Sequence, residues 1–228
     1  MLLISILALF SFVQVHAEPP FACDFEDGTM CEMENSLWFD PQRPIHNFSL
    51  ISGELVPDKE IAPSKDHTYN TSSGHFAYWH QPFDSPHTNM DGCLSTPIFE
   101  LTEHMCLTIA YYIKSVRADR NGTVLSIYMK GCGFRPLWSI RTDDTLGWQT
   151  DEIPLVGHGC NVTIWFNIMA DQKNSVSVAL DDISVDICAR YKTTTTPQPT
   201  PSRSIRFTNN ISLLAIVFLV NTNYLITS

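Results

Sequence analysis

The chain has 228 residues, of which 44% are apolar, 17% charged and 11% aromatic, with seven cysteines and a formal net charge of −10. That composition excludes a collagen, a coiled coil and a wholly disordered chain. The acidic balance and the lack of any run of five Lys or Arg also exclude nucleic acid as a partner, because such binding is driven by neutralising phosphates.

Residues 1–17 read as a cleaved secretory signal. The run MLLISILALFSFVQV is apolar but short for a membrane span, and Val15-His16-Ala17 offers a signal peptidase small residues. No Lys or Arg precedes the run, which leaves an uncleaved anchor as the alternative.

Residues 23–188 have the size of one domain and hold 10 basic and 23 acidic residues, a net charge of −13. Their apolar residues recur at period two, the mark of half-buried strands. In 106–113, Leu107, Ile109, Tyr111 and Ile113 alternate with Thr108 and Ala110. Further strands are expected over 123–130, 137–141 and 148–155. In 161–168, Val162, Ile164, Phe166 and Ile168 share one face and leave Asn161 on the solvent side. Over 176–187 the apolar positions change parity, from Val176, Val178 and Leu180 to Ile183, Val185 and Ile187. A one-residue bulge at Asp181-Asp182 would return both halves to the core. Short strands separated by Gly, Asn, Asp and Pro, with no convincing amphipathic helix, predict an all-β, antiparallel two-sheet jelly-roll sandwich.

Residues 189–202 contain TTTTPQPTPS, which resists regular packing and offers hydroxyls for O-glycans, as a stalk would. Residues 203–228 follow as a polar spacer and an apolar run over 211–220, broken by Asn221-Thr222-Asn223. A run of ten residues is half of what a spanning helix needs, and the pattern matches a glycosylphosphatidylinositol attachment signal, with Ser202 as the expected attachment site. The alternative is a poor span. Asn-X-Ser/Thr sequons stand at Asn47, Asn70, Asn121, Asn161 and Asn210, the first four within the domain. With the signal and the cysteines, they predict an oxidising secretory route to the outer face of the plasma membrane, or secretion.

Several stretches together resemble the MAM domain family, named for meprins, a neuropilin-type antigen and receptor tyrosine phosphatases. They are Cys23-Asp24-Phe25-Glu26-Asp27 with Cys31, Asp66-His67-Thr68, Gly74-His75-Phe76, Leu94-Ser95-Thr96-Pro97, Cys106 with its strand, Leu137-Trp138-Ser139, Gly147-Trp148, and Ala179-Leu180-Asp181-Asp182-Ile183 up to Cys188. The resemblance implies a jelly roll serving adhesion and recognition, and it implies disulfides Cys23–Cys31 and Cys106–Cys188. Cys132 and Cys160 fall outside the family pattern but flank predicted strands in the same half of the domain, so they are expected to pair. Cys93 is left over as a buried thiol or an intermolecular bridge. The resemblance also brings Glu26, Asp66, Asp181 and Asp182 together as ligands for a structural calcium or sodium ion, to which carboxylate oxygens are suited. Without metal, Asp66 and Asp181 would serve as turn caps.

Eight histidines occur, but no H-E-x-x-H, no G-x-S-x-G, no Walker loop and no Cys/His metal spacing, so the chain is not expected to be an enzyme. Asp143-Asp144 and Asp151-Glu152 read as solvated turn residues, and His67 and His75 as structural hydrogen-bonding groups. The expected function is non-catalytic recognition of an extracellular protein or of a second copy. The alternatives are glycan binding, for which Trp38 and Trp79 are the candidate stacking residues, and a secreted ligand without an anchor.

Overall fold

The computed structural model describes residues 18–36, 46–82, 91–116, 123–170 and 175–192, all within the first of the two units into which the chain divides, Met1–Lys192 and Thr193–Ser228. The proposed signal, most of the stalk, the tail, Trp38, Asn121, Ser202 and Asn210 lie outside the described residues.

Twelve strands run in chain order among the described residues: β1 (Phe21–Cys23), β2 (Glu34–Asn35), β3 (Ser49–Ser52), β4 (His75–Gln81), β5 (Asp91–Ser95), β6 (Phe99–Leu101), β7 (Met105–Ser115), β8 (Thr123–Lys130), β9 (Arg135–Thr142), β10 (Gln149–Pro154), β11 (Cys160–Met169) and β12 (Val176–Ile187). They form two antiparallel sheets. The first has the order β10-β7-β12-β4-β3, with β1 also on β12, and the second β2-β5-β11-β8-β9, with β6 also on β11. Each sheet therefore has a long central strand whose one edge is shared end to end by two short strands, β4 and β1 on β12, and β5 and β6 on β11. This is the all-β jelly-roll sandwich predicted from the period-two patterning.

The core lies between the sheets. Val162, Ile164, Phe166 and Ile168 of β11 face Leu107, Ile109 and Ile113 of β7 across it, with Leu125, Ile127, Trp79 and Phe25 filling the layer, all 0–1% exposed. The approach of β5 to Trp79 requires Gly92, at which a Cβ would lie 2.4 Å from the indole.

The register of β12 against β7 runs regularly to Asp181↔Ala110 and resumes at Ser184↔Thr108, so one extra residue is accommodated. That residue is Asp182, with φ of 46°, and its bulge returns Ile183 and Val185 to the core while turning the two aspartates toward the outer face. The parity change in the sequence reports this bulge directly, except that Ile187, expected inside, is exposed at the strand's end.

A second, smaller apolar cluster lies on the outer face of the first sheet. Phe76 and Tyr78 of β4, Tyr112 of β7 and Ala179 of β12 are covered there by Val56 and Ala62 from the long connection between β3 and β4, with Trp148 at the margin. The first sheet is thus buried on both faces over part of its area, which is why β4 and β7 lack a polar side there.

Candidate functional site

The β3–β4 connection is tied to the bulge by hydrogen bonds that converge on carboxylates. Asp66 is 1% exposed; its Oδ1 accepts the Thr71 amide at 2.6 Å and the Thr71 hydroxyl at 3.1 Å, and its Oδ2 accepts the Tyr69 amide. Burial raises the Asp66 carboxyl, but the Tyr69 and Thr71 donors outweigh it and hold the group below the usual aspartate value. Gly74 packs against this hub, where a Cβ would meet Asp66 Cγ at 2.3 Å.

One residue on, the His67 amide donates to Asp181 Oδ2 at 2.8 Å, while His67 Nδ1 lies 2.5 Å from Asp182 Oδ2 and the Thr68 hydroxyl donates to Asp182 Oδ1 at 2.8 Å. Asp181 is fully buried and its Oδ1 takes the Asp182 amide at 2.8 Å. Burial, helped by the neighbouring Asp182 charge, pushes the Asp181 carboxyl up to about 7 against the pull of the His67, Asp182 and Thr68 amides. Glu26 completes the corner by accepting the His75 amide at 2.9 Å. Trp148 clamps it from above, with its indole N–H on the Lys65 carbonyl at 2.9 Å and its ring edge-on to Phe76, Tyr112 and His67.

The four expected cation ligands therefore occupy one corner but not one cage. Among the described residues, the only three side chains whose ligand atoms all lie within 4.8 Å of one another are Cys106, Glu152 and Cys188, and there the two cysteines are bonded to each other. No three of Glu26, Asp66, Asp181 and Asp182 bring one carboxylate oxygen each within 4.8 Å of one another, and their oxygens accept protein hydrogen bonds in this arrangement.

The remaining candidates are distributed over the domain. Disulfides join Cys23 to Cys31, Cys106 to Cys188 and Cys132 to Cys160. Cys93 is a free thiol in the middle of β5, 1% exposed, and burial pushes it up to about 12. Asn47, Asn70 and Asn161 are exposed, Asn70 in a turn with φ of 56°. Trp79 cannot stack a sugar: it is fully buried between the sheets, with its N–H on the His46 carbonyl at 3.1 Å. Asp151 and Glu152 lie on β10 and not in a turn, Asp151 accepting the Tyr111 hydroxyl at 2.9 Å. The clamping role of Trp148 and the acceptor pattern of the 66–71 turn were not apparent from residue spacing.

The family model described as "MAM domain, meprin/A5/mu" matches residues 23–189, the whole of the disulfide-bonded sandwich. The chain belongs to the MAM family. A MAM domain is a non-catalytic, adhesion-type module that mediates protein–protein contacts, and with its three disulfides it is a module of extracellular proteins. Among solved structures, this MAM domain is similar to TmCBM61 in complex with beta-1,4-galactotriose, at 12% identity over 75% of this chain and 100% of that one, with a TM-score of 0.49. It is similar also to the K1 and K2 cleaved adhesin domains of Lys-gingipain, the former from Porphyromonas gingivalis W83. Identities there are 15% and 11% over 74% and 73% of this chain and 98% of each of those, both at a TM-score of 0.49. Likenesses this loose carry no ligand or partner over to the MAM domain.

Proposed function

We propose that the mature protein is a recognition module displayed on the outer face of the plasma membrane by a glycosylphosphatidylinositol anchor, where it binds another extracellular protein or a second copy of itself. The MAM match over residues 23–189 carries the recognition half of this reading. The anchor half rests on the tail, whose apolar run over 211–220 is half a membrane span, preceded by small residues and a spacer. The Thr/Pro-rich segment fits a stalk that lifts the domain off the bilayer.

A contact with a second copy must overcome repulsion between domains of net charge −13, which decays over a Debye length of about 8 Å at physiological ionic strength. Such a contact is therefore expected to use a strand edge or an apolar patch and to strengthen with salt. Strand β9 is eight residues long and lies at the edge of the second sheet, where a pairing partner could be accepted.

Treating cells that display the full chain with a phosphatidylinositol-specific phospholipase tests the anchor. Release into the medium is the expected result. Retention on the membrane, with residues 203–228 still detected by mass spectrometry, would overturn it, and accumulation in the medium without treatment would favour secretion.

A further inference from the structure

We propose that the N-glycan on Asn161 lies down along its own sheet, with its first sugars seated in a groove on the outer face of the second sheet. The groove, about 720 Å³, is lined by Thr163 of β11, Ser95 of β5, Met33, Glu34 of β2, Pro97 and Ile98 among others. It exists because β5 and β6 pair with the same edge of β11 and leave residues 96–98 to cross between them. Thr96 stays bonded to β11 through both its backbone and its hydroxyl, each to Ile164 at 3.0 Å, whereas the next two residues swing outward and leave Ile98 73% exposed.

Thr163 is also the hydroxyl-bearing residue of the sequon Asn161-Val162-Thr163. Asn161 and Thr163 project from the same face of β11, about 7 Å apart along the strand. Val162 is paired with Phe99, which brings Ile98 alongside Thr163 at the sequon's flank. A sugar on Asn161 therefore starts one pleat from the groove it would enter.

The lining suits that occupant. Pro97 and Ile98 offer apolar surface to the face of a pyranose ring and to an acetamido methyl. The Thr163 hydroxyl and the exposed Glu34 carboxylate would bind sugar hydroxyl and amide groups, and the volume falls within the range of ligand-holding clefts. The exposed carboxylates of Glu32 and Glu34, on a domain of net charge −13, disfavour an anionic ligand but not a neutral N-acetylglucosamine. Tethering supplies the rest: a sugar held by a short flexible link is present at an effective concentration of the order of millimolar, which a weak contact can use and a free oligosaccharide would have to outcompete. A seated glycan would shield Ile98 and cover this face of the second sheet, leaving partner contacts to the other faces.

The test uses the full glycosylated protein. Peptide-N-glycosidase F is applied under native conditions, and release from Asn161 and from the turn residue Asn70 is followed by mass spectrometry. Release from Asn161 is expected to be several-fold slower than from Asn70, and Ile98→Ser, at a position exposed enough to leave folding intact, is expected to abolish most of that protection. A nuclear Overhauser contact between the first acetamido methyl and the Ile98 methyls is expected in the parent protein. The proposal is overturned if Asn161 carries no glycan, if the two sites are released at equal rates, or if slow release at Asn161 persists in Ile98→Ser without the methyl contact.

Discussion

The layer between the sheets and the corner beneath the β3–β4 connection are both buried, yet they are held by different forces. The first is a continuous apolar body in which Phe166, Ile109, Leu125 and Val178 exclude water and need no direction. The second is a thin apolar patch sealed by hydrogen bonds to Asp66, Asp181 and Asp182, whose geometry must be met residue by residue. Stability of the first should follow the area and volume removed, whereas stability of the second should follow pH and the integrity of single acceptors. The difference teaches that the aspartates and His67 of this corner fasten a loop onto a sheet.

The largest effects should come from the inter-sheet layer and its staple. Phe166→Ala is expected to cost about 3–5 kcal/mol through the cavity it leaves. Replacing Cys106 and Cys188 together by Ser should cost about 4–5 kcal/mol through the released loop of 82-residue separation. Both are read by denaturant unfolding, and a loss below about 1 kcal/mol for Phe166→Ala would deny that this layer dominates.

Asp66→Ala should cost less, about 1–3 kcal/mol, because its donors sit in a turn that water can reach once the loop loosens. The sharper readout is local. Amide exchange at Tyr69 and Thr71 should accelerate while β11 stays protected; acceleration throughout the domain would mean that the corner and the core are one cooperative unit.

The two buried carboxylates should respond to pH with opposite signs. Asp181 titrates near 7 when folded against 3.8 in the free side chain, so the folded state binds its proton more tightly and stability falls as pH rises from about 4 to about 7. Asp66 lies below 3.8 when folded, so its contribution is present above that value and is lost on further acidification. Melting temperature against pH should therefore flatten between about 4 and 7 in Asp181→Asn and flatten below about 4 in Asp66→Asn. Unchanged slopes in both variants would show that Asp181 does not titrate as its burial demands, nor Asp66 as its hydrogen bonds demand.

Much of this fold was legible in the sequence, and the boundary between what was and was not has a physical cause. Strands β8 and β11 bury one face against the other sheet over eight to ten residues, and the resulting alternation is visible in 161–168, as the bulge of β12 is in the parity change at Asp181-Asp182. The first third hides its strands. Strand β2 is two exposed polar residues, and β4 reads Phe76-Ala77-Tyr78-Trp79 without alternation because the β3–β4 connection covers its second face. The aspartates of the corner were reached by resemblance, but Thr71 and Trp148 were not: the Asp66–Thr71 bonds depend on a local turn geometry that residue types do not report, and Trp148 reaches the Lys65 carbonyl from 83 residues away. The groove beside Asn161 was out of reach as well, arising from two strands sharing one edge of β11.

Smaller effects separate the remaining alternatives for the cysteine and the cation. Cys93, its thiol held near 12, should resist alkylation in the folded protein and react only on unfolding. Non-reducing gels should show no dimer that disappears in Cys93→Ser; such a dimer would place the thiol at a surface. Chelator should leave the melting temperature unchanged, because no three of the corner's carboxylates bring their oxygens within 4.8 Å of one another. A fall that is absent in Asp181→Asn would instead show that a cation draws Glu26, Asp66, Asp181 and Asp182 together.

Protein recognition is tested most directly by the aggregation of suspension cells displaying the full chain, alone and mixed with cells that lack it, in the presence and absence of competing oligosaccharides. The account predicts clustering that depends on the displayed domain and is indifferent to the sugars. Clusters that dissolve with an oligosaccharide, or a display that promotes no adhesion to either cell type, would contradict it.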